Sequence, residues 1–363
     1  MIFAFKKCGG KVKVQHLLWT LLLVVGCGGH KQLGISEAEM GPRTFQHKGN
    51  PYTIKGICYH PVPKGSNDRS FETLSTDLAL MQEAGINTIR VYAPIDDRSI
   101  LDRLQAHGIK VIMGFGYNQN GYYDLLSGTY LDYIKKYKDH EAILLWELGN
   151  EYNYHPEWFK GDLENWYIAL ERAAQAIHQE DQGRLVGTAH GELPDPKVLE
   201  SCPSIDIWGL NIYRWDNPGA LFEQWKAISG KPMYLSEAGG DSYMTIGKAG
   251  YKKGINERAQ ADANAKILEV IFNNVEVCAG VTLFSFTDGW WKAGNNHEQN
   301  PGGWAPNSTG VPYDGSPNEE YWGIVDIDRN KKETFEVVKA FYNGHSTDGQ
   351  LRLDEKYVKG EKK

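Results

Sequence analysis

Cysteine is scarce in this 363-residue chain, and the five present form no pattern. Cys8 and Cys27 fall within the first thirty residues, which leaves Cys58, Cys202 and Cys278 at unrelated spacing. Neither a disulfide framework nor a zinc site follows from that set. Cys58 and Cys278 adjoin apolar runs and read as buried thiols, and no spacing favours a Cys202–Cys278 bridge. Histidine is equally unpatterned: none of the 11 makes the His-x-His pair of a metal-dependent barrel hydrolase, so neither metal nor cofactor is expected. The chain also lacks a Gly-x-Ser-x-Gly elbow and a phosphate-binding loop. No internal repeat is present. The net charge is −7, and it becomes about −11 without the four lysines near the N-terminus. That balance argues against nucleic acid or an anionic membrane surface as partner.

Those lysines (Lys6, Lys7, Lys11 and Lys13) precede the apolar run Leu17–Val25. The run is too short to cross about 30 Å of hydrocarbon, and it reads as the core of a signal peptide. It ends in Val24-Val25-Gly26-Cys27, which resembles the lipobox of bacterial lipoproteins. The expected organisation is a signal peptide with lipobox over 1–27, a polar tether over 28–44, a barrel over 45–345 and a polar tail over 346–363. The mature chain is expected to be exported and anchored by lipid on Cys27 to a bacterial envelope, with ordinary cleavage into the periplasm or medium as the alternative. Its oligomeric state is not legible.

From residue 45 onward, strand-like and helix-like stretches alternate. Strands are expected at 52–59, 87–92, 110–115, 142–148, 184–188, 205–212, 232–236 and 280–286. Helical spacing of apolar residues marks 71–84, 100–107, 130–137, 163–179, 220–228, 258–273 and 334–342. Eight such strands over about 290 residues fit a (β/α)8 barrel in the α/β class. A doubly wound open sheet would prefer a glycine-rich turn after its first strand, where Tyr59-His60-Pro61-Val62-Pro63 stands instead. One connection is long: Thr287 to Lys331 runs without a clear helix and carries Trp290, Trp291, Trp304 and Trp322. So much apolar area is expected to pack on the catalytic face, since the loop follows the last strand.

Two apolar runs end on glutamate: Ile143-Leu-Leu-Trp-Glu-Leu-Gly-Asn-Glu151 and Lys231-Pro-Met-Tyr-Leu-Ser-Glu-Ala-Gly239. Locally, Asn150-Glu151 could be a helix N-cap pair and Glu237 a structural carboxylate. On strands four and seven of one barrel, however, they stand nearly opposite, and a facing pair of carboxylates is what glycosidic cleavage needs. Arg90 is a charge inside a buried strand, on the same face as Thr88 and Tyr92, and requires a carboxylate partner, for which Glu237 is the first candidate. Tyr213 ends strand six within reach of Glu237. Asn150 is placed to bond the sugar 2-hydroxyl, and His60 ends strand one as a further contact or as a structural histidine. Rim aromatics (Tyr117, Tyr122, Trp158, Trp215, Trp291) are candidates for stacking on sugar faces, and equally for ordinary packing.

On these segments the chain resembles glycoside hydrolase clan A, the retaining (β/α)8-barrel glycosidases, over roughly residues 45–343. Asn50–His60 is similar to the first strand of family two catalytic barrels. Ala84–Tyr92 is similar both to that family and to the β-1,3-glucan-active families seventeen and seventy-two. Trp146–Glu151 resembles the clan's acid/base strand and Leu235–Gly239 its nucleophile strand. Asp288-Gly-Trp-Trp-Lys292 and Tyr321–Asp326 are similar to the closing segment of such barrels. Two departures stand out. The β-sandwich domains that precede the barrel in family two have no counterpart, and the clan's strand-eight tryptophan falls near Phe284 or Phe286, leaving Trp290 or Trp291 for the stacking role. The resemblance implies double displacement on a β-linked polysaccharide or oligosaccharide, a β-glucan first, with a β-1,3-linked one among the candidates. Glu237 would be the nucleophile, kept charged by Arg90 and Tyr213, and Glu151 the acid/base. Glucanosyl transfer at the same site is one alternative, and an inactive glycan-binding surface lipoprotein is another.

Overall fold

In a computed structural model the described residues are 45–119, 122–214, 217–247, 250–301 and 318–344. The expected signal peptide with Cys27, the tether, Trp215, Trp304 and the C-terminal tail lie outside them.

Eight parallel strands close into a barrel: β1 (Ile54–Cys58), β2 (Thr88–Val91), β3 (Lys110–Phe115), β4 (Ile143–Asn150), β5 (Leu185–Gly191), β6 (Ile207–Asn211), β7 (Met233–Glu237) and β8 (Cys278–Leu283). They pair in sequence order, and β8 returns to β1. Almost every strand residue is buried, as expected where helices cover one face and the barrel interior the other. The helices are α1 (Leu74–Ala84), α2 (Arg98–Ala106), α3 (Tyr130–Tyr137), α4 (Glu164–Glu180), α5 (Pro196–Ser201), α6 (Ala220–Ile228), α7 (Glu257–Phe272) and α8 (Glu333–Gly344). Their apolar stripes face inward; on α1 this is Leu74, Leu78 and Met81. Among the described residues no helix is long and apolar enough to cross a membrane.

Two differences from the expected elements have local causes. Helix α5 has only six residues, too few for a periodic stripe. Its signal is chemical instead: Asp195 caps it by accepting from Lys197 N at 2.9 Å, and Pro196 opens the first turn. Strand β4 runs two residues beyond Leu148, because Asn150 still pairs with Ala189 on β5.

Inside the barrel, Ile54, Leu145, Leu185, Ile207 and Ala279 fill the end where the strands begin, with Phe45 packed among them. At the opposite end the filling turns polar, with Arg90, Glu147, Asn211, Ser236 and Glu237 all buried. The segment after β8 is tied down rather than loose. Thr287 bridges to Val325, and buried Asp288 accepts from Lys332 Nζ at 2.7 Å, Gly323 N at 2.8 Å and Gln299 Nε2 at 3.0 Å. The three described tryptophans of this segment stay near the barrel mouth as expected, with Trp322 only 2% exposed. Cys58, Cys202 and Cys278 are free, buried thiols.

Candidate active site

The polar end of the barrel is organised around Arg90, which has no exposed surface. Its Nε donates to Glu147 Oε1, its Nη1 to Glu237 Oε1 and its Nη2 to Asn150 Oδ1, each at 2.7 Å. Burial works against its charge, but Glu147 and then Tyr92 and Glu237 more than offset this and hold the guanidinium above its ordinary range. One fork on β2 therefore fixes residues of two other strands, β4 and β7.

The backbone aims those residues in a way that simple alternation does not. Glu147 and Asn150 are three apart, so an unbroken strand would turn them to opposite faces. The β4–β5 register shifts between these two positions, and Gly149 takes φ 75°. Such an irregularity re-aims side chains, and both now reach Arg90. Glu151 follows at φ 55°, a left-handed conformation, with its N–H bonded to Ala189 O at 2.8 Å. A second shift lies between β6 and β7, where Leu210 pairs with Leu235 but Asn211 pairs with Glu237. There Ser236 Oγ donates to Asn211 Oδ1 at 2.6 Å.

Glu237 is 5% exposed and receives three side-chain donors. Arg90 and the Tyr92 hydroxyl share Oε1 at 2.7 Å, and the Tyr213 hydroxyl reaches Oε2 at 2.6 Å. The expected Arg90 and Tyr213 partners are therefore in place, and Tyr92 joins them. Asn150 Oδ1 accepts from both Arg90 and Asn211, the latter at 3.1 Å. Glu151 is less enclosed. Burial first and the charge of Glu237 second push its carboxyl up to about 7, while a hydrogen bond from Asn211 and the charge of Arg90 pull the other way. The two glutamates thus sense one another while being differently solvated.

Around this pair stand the remaining candidates. His60 lies 5.1 Å from the Trp291 ring and 6.3 Å from Tyr92, between ring centroids. Burial, helped by Arg69 and Lys292, lowers His60 to about 4, so it is neutral near pH 7. Its Nδ1 is buried without a hydrogen-bond partner. Trp290 sits instead under the Lys64 ammonium, 4.5 Å from the ring centroid. Near Phe284, where the resemblance would place a tryptophan, Trp322 arrives from the long segment: its ring is 5.2 Å from Tyr213 and 5.6 Å from Phe284, both edge-on. Tyr117 packs inward against Phe159 at 4.9 Å, whereas Tyr122 is 75% exposed.

Sequence reasoning gave no site role to Glu147, Tyr92, Asn211 or Trp322, although Tyr92 was placed on the Arg90 face and Trp322 in the aromatic loop. Glu147 and Asn211 carried the signal that singled out Arg90, a polar residue inside an apolar strand. Trp322 carried none beyond its loop. Lys292 was also passed over; it pairs with Glu319 and lies 4.4 Å over the Phe284 ring. Among the described residues no group of three or more histidine, cysteine, aspartate or glutamate side chains could hold a metal ion.

No family model matches the chain. A 1,3-beta-glucanosyltransferase of Arthroderma benhamiae is 23% identical over 202 residues, 47% of this chain and 37% of that protein. In structure, a beta-glucuronidase of Bacteroides uniformis superposes with TM-score 0.64 at 20% identity, over 84% of this chain and 37% of the other. A GH2 beta-galacturonidase of Eisenbergiella tayi gives TM-score 0.62 at 22% identity, over 84% and 53%. The chain therefore spans about half or less of the length of each. At these identities the structural likenesses establish the shared barrel. A sequence relative and structural neighbours whose names all denote enzymes of glycosidic bonds agree with the clan A resemblance carried by the motifs on β4 and β7.

Proposed function

We propose that the chain is a retaining β-glycosidase of a β-linked glycan, a β-glucan before other classes, with Glu237 as nucleophile and Glu151 as acid/base. The observation that carries this reading is the unequal treatment of two neighbouring carboxyl groups. Glu237 is surrounded by donors that replace water around a carboxylate, and Glu151 is pushed up to about 7, where it can still hold a proton.

In the first displacement Glu237 bonds to the anomeric carbon, the bond to the leaving oxygen breaks, and that oxygen takes the Glu151 proton. In the second, Glu151 accepts a proton from water as the water oxygen bonds to the anomeric carbon and Glu237 departs. Asn150, held by Arg90 and Asn211, is assigned the 2-hydroxyl. A sugar hydroxyl in place of water turns the same steps into transfer, and the likeness to a glucanosyltransferase favours that second reading. The β-glucan preference rests on the likeness of Ala84–Tyr92 to β-1,3-glucan-active families, and the same relative supports it. The Cys27 lipobox supports placing the enzyme on a bacterial envelope.

The test is hydrolysis of a panel of β-glucans, including β-1,3-linked ones, and β-uronides. Glu151→Gln and Glu237→Gln should each slow cleavage by about a hundredfold or more, and proton NMR should show the β-anomer as first product. The reading fails if neither variant slows cleavage, if the α-anomer forms first, or if the wild type binds glycans but cleaves none.

A further inference from the structure

Glu147 is a buried acid that the proposed double displacement does not use. It lies on β4, four residues before Glu151, and is 1% exposed. Its Oε1 accepts from Arg90 Nε at 2.7 Å, and its Oε2 accepts from the hydroxyl of Tyr234, a fully buried residue of β7. Both oxygens are thus committed to donors inside the barrel, the arrangement of an ionised carboxylate. Burial raises this carboxyl and Glu237 adds to the rise, while Arg90 and the Tyr234 hydroxyl pull it down. Cys58 on β1 and Tyr92 also face Arg90, and both are neutral: burial pushes the thiol up to about 12 and the phenol well above its ordinary range. One guanidinium therefore faces two carboxylates, Glu147 and Glu237, and the trio carries one net negative charge.

The reaction changes what Arg90 faces. When Glu237 bonds to the anomeric carbon, the ester that forms is neutral. The electron pair of the broken bond leaves with the departing oxygen, which takes the Glu151 proton. The negative charge thus passes to Glu151, which is bonded to Asn211. The bonds of Arg90 go elsewhere, to Glu147, Glu237, Asn150 and the Ser236 carbonyl. Arg90 cannot shed its own charge, being sealed from solvent and held above its ordinary range. A buried guanidinium that lost its only bonded anion would be strongly destabilised, and Glu147 prevents that. The transition state is oxocarbenium-like and positive, so the net negative charge of the trio also has the sign that favours it. We infer that Glu147, oriented by Tyr234, is the permanent counterion of Arg90, a positioning residue that lets Glu237 lose its charge in forming the glycosyl-enzyme.

This inference rests on the glycosidase reading, and the test separates the two. The probe is a dinitrophenyl 2-deoxy-2-fluoro-β-glycoside of a sugar that the wild type cleaves. Its leaving group departs as the anion, so Glu151 keeps its proton and Glu237 alone changes charge. Mass spectrometry of the intact protein follows gain and loss of the label, and counts only molecules folded well enough to react. Glu147→Gln keeps the shape and an acceptor for Arg90 but removes the charge. It should slow label gain by at least about tenfold, while loss from the labelled enzyme is unchanged or faster. Tyr234→Phe keeps the charge and should slow label gain by less than about threefold. Equal slowing of gain and loss in Glu147→Gln, no slowing of gain, or equal effects of the two variants overturns the inference. Carbon-13 NMR of glutamate-labelled wild type supplies a check that needs no variant: Glu147 should stay ionised in the labelled enzyme, and a protonated Glu147 overturns the inference too. Failure of the glycosidase reading shows itself earlier, as a wild type that cleaves no β-glycoside and gains no label on Glu237.

Discussion

Glu151 sits at about 7 because of burial first and the charge of Glu237 second, and the two causes can be separated by experiment. Replacing Glu237 with glutamine removes the second and leaves the first. In Glu237→Gln the Glu151 carboxyl should titrate below about 7 but still above its ordinary 4.5, as read by carbon-13 NMR of labelled glutamate. An unmoved titration would mean that the two carboxyl groups are not coupled. In the wild type the acid must hold its proton, so kcat/KM should fall about tenfold per pH unit above about 7. At this scale the sequence was informative where one residue broke its surroundings. Arg90 inside an apolar strand demanded a carboxylate, and Glu237 supplies one. It was silent on the second partner, Glu147. Alternation counted from Glu151 keeps Glu147 on the same face but sends Asn150 to the other, and only the register shift after Glu147 brings both to Arg90. Backbone irregularities of this kind leave little trace in residue type.

Closure of the barrel depends on the seam where β8 pairs with β1, from Gly280 opposite Ile54 to Leu283 opposite Ile57. Gly280 has φ 123°, and a Cβ there would stand 2.1 Å from the Ile54 carbonyl oxygen. Backbone is the obstacle, so no side-chain rotation relieves it. Gly280→Ala should cost on the order of 3 kcal/mol and lower the melting temperature by at least about 5 °C, followed by circular dichroism. An unchanged melting temperature would show that the seam yields without cost. The strands themselves were legible, because burial on both faces writes each as an unbroken apolar run, and all eight expected runs became strands. Helices with two or more turns of apolar stripe were legible for the same reason. Helix α5 was not, since six residues cannot show a period. The segment after β8 was recognisable only as aromatic-rich. Its course depends on buried pairs such as Asp288 with Lys332, 44 residues apart, which no local pattern announces.

Across the whole molecule, two site residues act on stability in opposite senses. Glu151 binds its proton more tightly folded than unfolded, with a folded value of about 7 against 4.5. Its contribution is full below about 4.5 and is lost as pH rises through about 7, a swing on the order of 3 kcal/mol. His60 is the reverse: burial lowers it from 6.5 to about 4. Its contribution is full above about 6.5 and is lost as pH falls through about 4. Between about 4.5 and 6.5 the folded chain holds one extra proton on Glu151 and one fewer on His60, so the two slopes cancel. The cancellation hides both effects in the wild type, and single variants should expose them. Relative to wild type, Glu151→Gln should gain stability steadily as pH rises from about 4.5 to about 7, and His60→Gln should gain it as pH falls from about 6.5 to about 4. The double variant should be parallel to wild type across the shared window. Urea unfolding at half-unit pH steps measures all four curves. If the difference between Glu151→Gln and wild type is flat from pH 4.5 to 7, Glu151 is not raised in the folded protein, and its assignment as the proton donor loses its physical basis.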